Sequence, residues 1–444
     1  MNVAVPPHSF ALSRTRSRVS STDPLPRPKH HQKTHAWKQS DMLTTKRLLG
    51  DRSCSGASSS KKKRRKRNRG KDRGDEIKFE REPLREIPAL WNYGSSLYEE
   101  VYKSRGPVPP SLADEFRRRD IIAQLRQKLL KLCGKGKAAA RYPSLAFERW
   151  LIASSVLQHP RGDPGPVVSD PLIPTHGVAE PGLVADLVKV GYDQGRAKDI
   201  AQTLANHALK TVRSHWGSAS CSESAQSNFC DETGMYQLLC TDIMGKQYRV
   251  DIHPLMYNKF KKLYHPRNEA KDEKSNEAAF NLSVLKCCLR YETLSGPGFQ
   301  VSITHDIFRS LGECIELFAS PFNCVGLTYG SAFADTDACF GSLGSAFDWF
   351  NKKVSKNFRL EANPPFVPQI LEAFVDMLVS NVAKDGQLSV IIPVWTDAPF
   401  YSKLLALEND LPKKRKTLTD KWIQPSSTSL VHRKIPTSCE LFTI

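Results

Sequence analysis

The stretch "FRLEANPPFVPQIL", Phe358 to Leu371, decides the fold. Phe358 to Ala362 read as a short apolar strand. Asn363 to Phe366 continue neither strand nor helix. Proline fixes its own φ and has no N–H, and it drives the residue before it toward extended geometry. From Val367 the period changes. Val367, Ile370, Leu371, Phe374, Leu378 and Val382 share one face of a helix. Asp385-Gly386 make a turn, and "LSVIIPVW", Leu388 to Trp395, reads as a buried strand. Strand, helix, strand in this order predicts a parallel sheet with right-handed crossovers, an α/β Rossmann-like domain.

The α/β texture begins near residue 266. "AAFNLSVLKCCLRYETL" predicts a helix, and "CIELFAS" a short strand ending in small residues. Residues 79–265 read as a mostly helical domain. "SLADEFRRRDIIAQLRQKLLKLC" carries apolar residues at helical spacing, with Ser111 as N-cap ahead of Asp114 and Glu115. "SLAFERWLIASSVLQ", "GLVADLVKV" and "RAKDIAQTLANHALKTV" continue that pattern. A Pro/Gly-rich loop, His159 to Gly182, and a Ser-rich linker, Gly217 to Ser227, separate the pieces. "HPLMYNKFKKLYH" is basic and aromatic, which fits a surface helix or an RNA contact.

Residues 1–78 are rich in Pro, Ser, Lys and Arg and predict a disordered basic tail. Of a formal net charge of +19, residues 1–75 supply +15, from 20 Lys/Arg against 5 Asp/Glu. "KKKRRKRNRGKDR", Lys61 to Arg73, repels itself and reads as a nuclear import signal or a phosphate-binding arm. "KKRK", Lys413 to Lys416, is a shorter version, or a solvated loop. The acid-free residues 1–21, with Arg14, Arg16 and Arg18 among serines, faintly resemble an organelle transit peptide. Apolar residues make up 40% of 444, enough for a core, yet no apolar run approaches the roughly 18 residues that cross a bilayer. Eleven cysteines without a C-x-x-C pair argue against a zinc framework and a secreted disulfide scaffold.

In open α/β sheets ligands bind beyond the carboxyl ends of the strands. Two such ends are unusual. The first is "ELFASPFN", Glu316 to Asn323. Its acidic residue and small residues let backbone approach a charged, nucleoside-bearing cofactor, and it lacks the G-x-G-x-x-G that favours a pyrophosphate. S-adenosylmethionine has no phosphates and fits. An ordinary strand-to-loop transition would look similar. Glu316, Phe318, Ala319, Ser320, Pro321 and Asn323 are the candidate contacts. Asp335 and Asp337, in "AFADTDACFGSLGSAFDWF", would accept from a ribose or the cofactor's amine, or form an Asx-turn. Gly341 and Gly344 permit close approach of a ligand, or turn the chain.

The second end is Asn363-Pro364-Pro365-Phe366. The Asn363 side-chain oxygen and the Pro364 carbonyl can accept both hydrogens of an exocyclic amine. In adenine that nitrogen's lone pair is delocalised into the ring. Two acceptors restore pyramidal character and aim the lone pair at a methyl sulfonium. Phe366 would stack on the base. The alternative is a tight Pro-Pro turn.

These stretches, with "LMYNKFKKLY", "LRYETL", "ECIELFASPFN", "FGSLGSAFDWF", "EANPPF" and "LSVIIPVW" in one order over about 140 residues, resemble the cap-specific adenosine N6-methyltransferases, also called phosphorylated-CTD-interacting factors. The resemblance implies a helical domain on a class I S-adenosylmethionine-dependent methyltransferase domain, over 266–444. It implies methylation of N6 of the 2′-O-methyladenosine beside the 7-methylguanosine cap of mRNA; the basic runs add the nucleus as the location, and the apolar and cysteine patterns add the expectation of no membrane and no metal. Asn363, Pro364, Pro365 and Phe366 take the catalytic place by this likeness. A glutamine or internal-adenine amine methyltransferase, or an inactive nuclear RNA scaffold, are the rival readings. Two departures stand out. Trp37 has no Trp-spaced strand triplet around it, so the polymerase-tail-binding WW module is not legible. After Trp395 the chain turns Pro-, Ser- and Lys-rich, with "SCELFTI" its one candidate strand, which reads as a truncated or alternatively spliced end with an open sheet edge.

Overall fold

The computed structural model describes residues 81–84, 90–102, 107–134, 143–157, 170–215, 223–265, 273–294, 300–350, 358–381, 387–409, 414–418, 421–434 and 438–443. All lie in a unit running Gly74–Ile444. The run Lys61 to Arg73, Trp37 and residues 1–21 lie outside the described residues.

After β1 (Arg81–Pro83) come the helices α1 (Ser95–Val101), α2 (Leu112–Cys133), α3 (Pro143–Leu157), α4 (Pro181–Lys189) and α5 (Gln194–His215). The predicted cap of α2 is present. The Ser111 Oγ accepts from the Asp114 N–H, and the Asp114 carboxylate reaches back to the Ser111 N–H. An antiparallel sheet of β2 (Gln226–Cys230), β3 (Met235–Thr241) and β4 (Gln247–Ile252) follows. It begins inside the segment expected to be a linker. Then come α6 (Pro254–Leu263) and α7 (Glu273–Thr293). The basic-aromatic segment is α6, and its Tyr257, Lys259 and Phe260 are buried. One apolar cluster runs through α2 to α7 and on to Phe322, Tyr329, Phe333 and Val367.

The rest of the chain builds two sheets. Its elements are β5 (Ser302–Ile303), α8 (His305–Leu311), β6 (Ile315–Ala319), β7 (Tyr329–Ser331), α9 (Ala334–Asp337), α10 (Ala346–Trp349), β8 (Arg359–Ala362), α11 (Pro368–Asn381), β9 (Gln387–Pro393), α12 (Pro399–Asn409), β10 (Lys414–Leu418), β11 (Lys421–Pro425), β12 (Ser429–Lys434) and β13 (Cys439–Thr443). The six-stranded sheet has the order β10-β13-β9-β8-β6-β7. Its four strands β7, β6, β8 and β9 are parallel, while β13 runs antiparallel to both β9 and β10. The fold is therefore mixed α/β on a mixed sheet. β9 is buried over six consecutive residues, as a central strand covered on both faces should be.

One face of this sheet, Ile315, Leu317, Leu360, Ala362, Val390 and Ile392, packs with Leu97, Trp349 and the apolar side of α11 and α12. The other face carries Ile391, Cys439 and Leu441 into a cluster with Ile303, Phe308 and Trp422. A second, four-stranded sheet, β1-β12-β11-β5, supplies part of that cover. The edge of β9, expected to lie open, is paired by β13, which contains the "SCELFTI" strand, and β13 by β10. Lys414 to Lys416 of "KKRK" lie in β10 rather than in a free loop. The Arg415 guanidinium is fixed on Glu440 at 2.7 Å and on the Tyr401 hydroxyl at 2.8 Å.

A buried charge network ties helices to the sheet. Arg290 of α7 holds Glu115 of α2 at 2.6 Å and Asp335 of α9 at 2.8 Å. Arg118 joins Glu115 to Asp170. Removing one member would leave a buried charge without its partner, which costs about 3–5 kcal/mol.

Candidate active site

The strand order places the site. From β6 the chain steps outward to β7, then returns across β6 to β8 and β9. The loops leaving β6 and β8 therefore diverge, and a crevice opens between them at the carboxyl ends, the topological switch point where open α/β sheets bind ligands. A cleft, partly open to solvent, lies there. Leu317 to Ser320 and Asn323 at the end of β6 line it, with Ser331 to Phe333 after β7 and Pro365 after β8. Ile152 and Val156 of α3, Tyr291 and Leu294, and Gln300 close it from the helical side.

The candidates from sequence divide into walls and supports. Phe318, Ala319, Ser320, Asn323 and Pro365 are walls. Phe318 is fixed edge-to-face on Phe374, centroids 5.2 Å apart. Ser320 and Asn323 close a tight turn: the Asn323 Oδ1 accepts from the Ser320 N–H at 2.7 Å, and the Cys324 N–H returns to the Ser320 carbonyl at 2.9 Å. Pro321 and Pro364 are buried and, like Asn363 and Phe366, are not among the residues that line the cleft.

At the corner after β8, Asn363 is half-buried. Its side chain and the Pro364 carbonyl have no hydrogen-bond partner among the described residues, whereas the Pro365 carbonyl accepts from the Val367 N–H at 2.7 Å. The two acceptors that an amine would need are the two left unengaged. Phe366 turns toward the second sheet and meets Trp422 of β11 edge-to-face, centroids 6.0 Å apart.

The three carboxylates are engaged by the protein itself. Glu316 points away from the cleft and accepts from the Val325 N–H at 2.6 Å and the Gly326 N–H at 3.3 Å, holding the turn that leads to β7. Burial pushes its carboxyl up to about 7. Glu361 sits opposite it in register on β8, with one carboxyl oxygen buried and unpartnered; burial, then Glu316, pushes it well above the usual carboxylate range. Asp335 makes the ion pair with Arg290. Burial would raise its carboxyl, and Arg290 outweighs burial and holds it below the ordinary value. Asp337 is fully buried and accepts from the Tyr291 hydroxyl at 2.6 Å; burial pushes it up to about 6.

Sequence reading assigned Lys259 and Tyr291 no role of their own and left Gly341 between two readings. Lys259 of α6 is buried and donates to the Phe322 carbonyl at 2.8 Å, so the basic segment props the β6 loop. Tyr291 both lines the cleft and anchors Asp337. Its only signal in the sequence was membership of "LRYETL". Gly341 has φ +91°, and a Cβ there would collide with the Leu327 carbonyl, so this glycine serves close approach of backbone. No cluster of His, Cys, Asp and Glu suited to a metal ion occurs among the described residues, and no described helix is long and apolar enough to cross a membrane.

Comparison with known proteins agrees with the likeness read from the sequence. Residues 259–417 match the family described as "Phosphorylated CTD interacting factor 1 WW domain". Those residues run from the second half of α6 through α12 and hold much of the main sheet. Over 111 residues the chain is 39% identical to an mRNA (2'-O-methyladenosine-N(6)-)-methyltransferase of Mus musculus and 38% identical to that of Homo sapiens. Each alignment covers 23% of this chain and 15% of the relative.

Proposed function

We propose, from that match and from the cleft it falls on, that this chain transfers a methyl group from S-adenosylmethionine to N6 of the 2′-O-methyladenosine next to the 7-methylguanosine cap of mRNA. The observation that carries the reading is the Asn363-Pro364-Pro365-Phe366 corner at the switch point, with its two acceptors unengaged and Pro365 on the cleft wall. The four parallel strands followed by the antiparallel β13 and β10 support a class I, Rossmann-like methyltransferase sheet.

In this reading the β6 end, Phe318 to Asn323, receives the cofactor, with Glu316, Asp335 and Asp337 holding that wall from behind. S-adenosylmethionine supplies an electrophilic methyl on sulfur. The Asn363 Oδ1 and the Pro364 carbonyl take one amine hydrogen each and aim the nitrogen lone pair at that carbon. Alignment of this kind contributes up to about 7–11 kcal/mol. A neutral Asn suits the step, because positive charge develops on nitrogen only as the methyl moves; the proton then leaves to water. The proline rings fix the corner before substrate arrives. Phe366, packed on Trp422, anchors the corner from the second sheet rather than from the cleft. Capped mRNA is the partner and the nucleus the location, the latter served by the Lys61 to Arg73 run. Contact with the phosphorylated polymerase tail, which the family's description names, has no assigned residues here.

The test is labelled methyl transfer with three acceptors: capped RNA beginning with 2′-O-methyladenosine, the same RNA uncapped, and a glutamine-bearing protein. Label on the capped RNA alone is expected. Label on protein or uncapped RNA would favour the broader amine methyltransferases, and label on none would favour a scaffold.

A further inference from the structure

The Ser320 Oγ stands 2.6 Å from the Gln300 Oε1 and 2.9 Å from the Asn323 Oδ1. A hydroxyl carries one proton, so it donates to only one of them. The Asn323 oxygen is fixed as an acceptor by the Ser320 N–H at 2.7 Å. The Gln300 amide has no other partner among the described residues, so turning it by half a revolution exchanges its oxygen and nitrogen at no loss. In that orientation the Gln300 Nε2 donates to the Ser320 Oγ, the Ser320 hydroxyl donates to the Asn323 Oδ1, and every contact is satisfied. The Gln300 oxygen and the Asn323 Nδ2, neither engaged among the described residues, then remain on two residues that both line the cleft and both contact Ser320.

An acceptor and a donor thus stand together at the end of β6. Among the described residues no charged side chain lines the cleft. The nearby ones are engaged: Lys259 by Phe322, Glu316 by Val325 and Gly326, Asp335 by Arg290. Much of the remaining wall is apolar, including Leu317, Phe318 and Phe333, which suits a flat heterocycle. The polar pair suits a zwitterion, an α-ammonium beside a carboxylate. We propose that Gln300 accepts from the α-ammonium of the cofactor's methionine end while Asn323 donates to its carboxylate. This rests on the methyltransferase reading.

The experiment compares two ligands on the full chain by calorimetry. S-adenosylmethionine carries the amino-acid end; 5′-methylthioadenosine keeps the nucleoside and sulfur and lacks it. Gln300→Leu should weaken S-adenosylmethionine about tenfold or more, the loss of one hydrogen bond to a charged group, and 5′-methylthioadenosine less than about twofold. Equal weakening of both ligands by Gln300→Leu, or weakening of neither, would overturn the assignment while leaving the methyltransferase reading intact. If the unaltered chain bound neither ligand, that reading would fall, and this one with it.

Discussion

Glu316 and Glu361 face each other across two parallel strands, both buried, below the corner that carries Asn363. Two carboxylates so placed cannot both ionise cheaply. Glu316 has its folded pKa raised from 4.5 to about 7, and Glu361 moves the same way. A raised folded pKa means that the native state holds the proton more tightly than the unfolded chain. The stabilising effect is complete below about pH 4.5 and is lost as pH rises through about 7. Glu316→Gln keeps an acceptor for Val325 and Gly326 and removes the titration. Its thermal midpoint should fall less steeply than that of the unaltered chain between about pH 5 and about pH 8; identical slopes would contradict this account. The corner itself was legible because proline acts on its own φ and on its neighbour, a local effect. The fates of Glu316, Asp335 and Asp337 were not. Each is decided by partners brought close only by folding, such as Arg290 and Tyr291.

Among the elements, the long periodic ones were legible: α2, α5, α7, α11 and the buried β9. The short strands β2 to β4, β7 and β10 to β12 were not. A strand of three to seven residues carries little period, and its stability comes from partners distant in sequence. The β11–β12 hairpin matters most of these, because it closes over the main sheet between β10 and β13 and brings Trp422 to Phe366. Trp422→Ala should cost about 3–5 kcal/mol of stability, read from denaturant unfolding. Trp422→Phe keeps an aromatic filling while withdrawing the indole edge. It should lower turnover about tenfold with S-adenosylmethionine affinity unchanged, since misplacement of a reacting group by a fraction of an ångström is costly. Turnover equal to that of the unaltered chain would detach the hairpin from catalysis.

At the scale of the molecule, charge and chemistry are separated along the chain. The strongly basic residues 1–75 precede a body with a balance of only about +4, and among the described residues the cleft has no charged wall. In the proposed reading, recognition inside the cleft is therefore a matter of neutral hydrogen-bonding groups and apolar surface, and catalysis one of position. That claim concentrates on Asn363. The most direct measurement is methyl transfer from labelled S-adenosylmethionine to capped RNA beginning with 2′-O-methyladenosine, for the unaltered chain and for Asn363→Ala, with cofactor affinity determined in parallel. We expect turnover to fall by at least about a thousandfold, roughly 4 kcal/mol of transition-state stabilisation, with cofactor affinity changed less than about threefold. An Asn363→Ala chain that methylates as fast as the unaltered one would contradict the account.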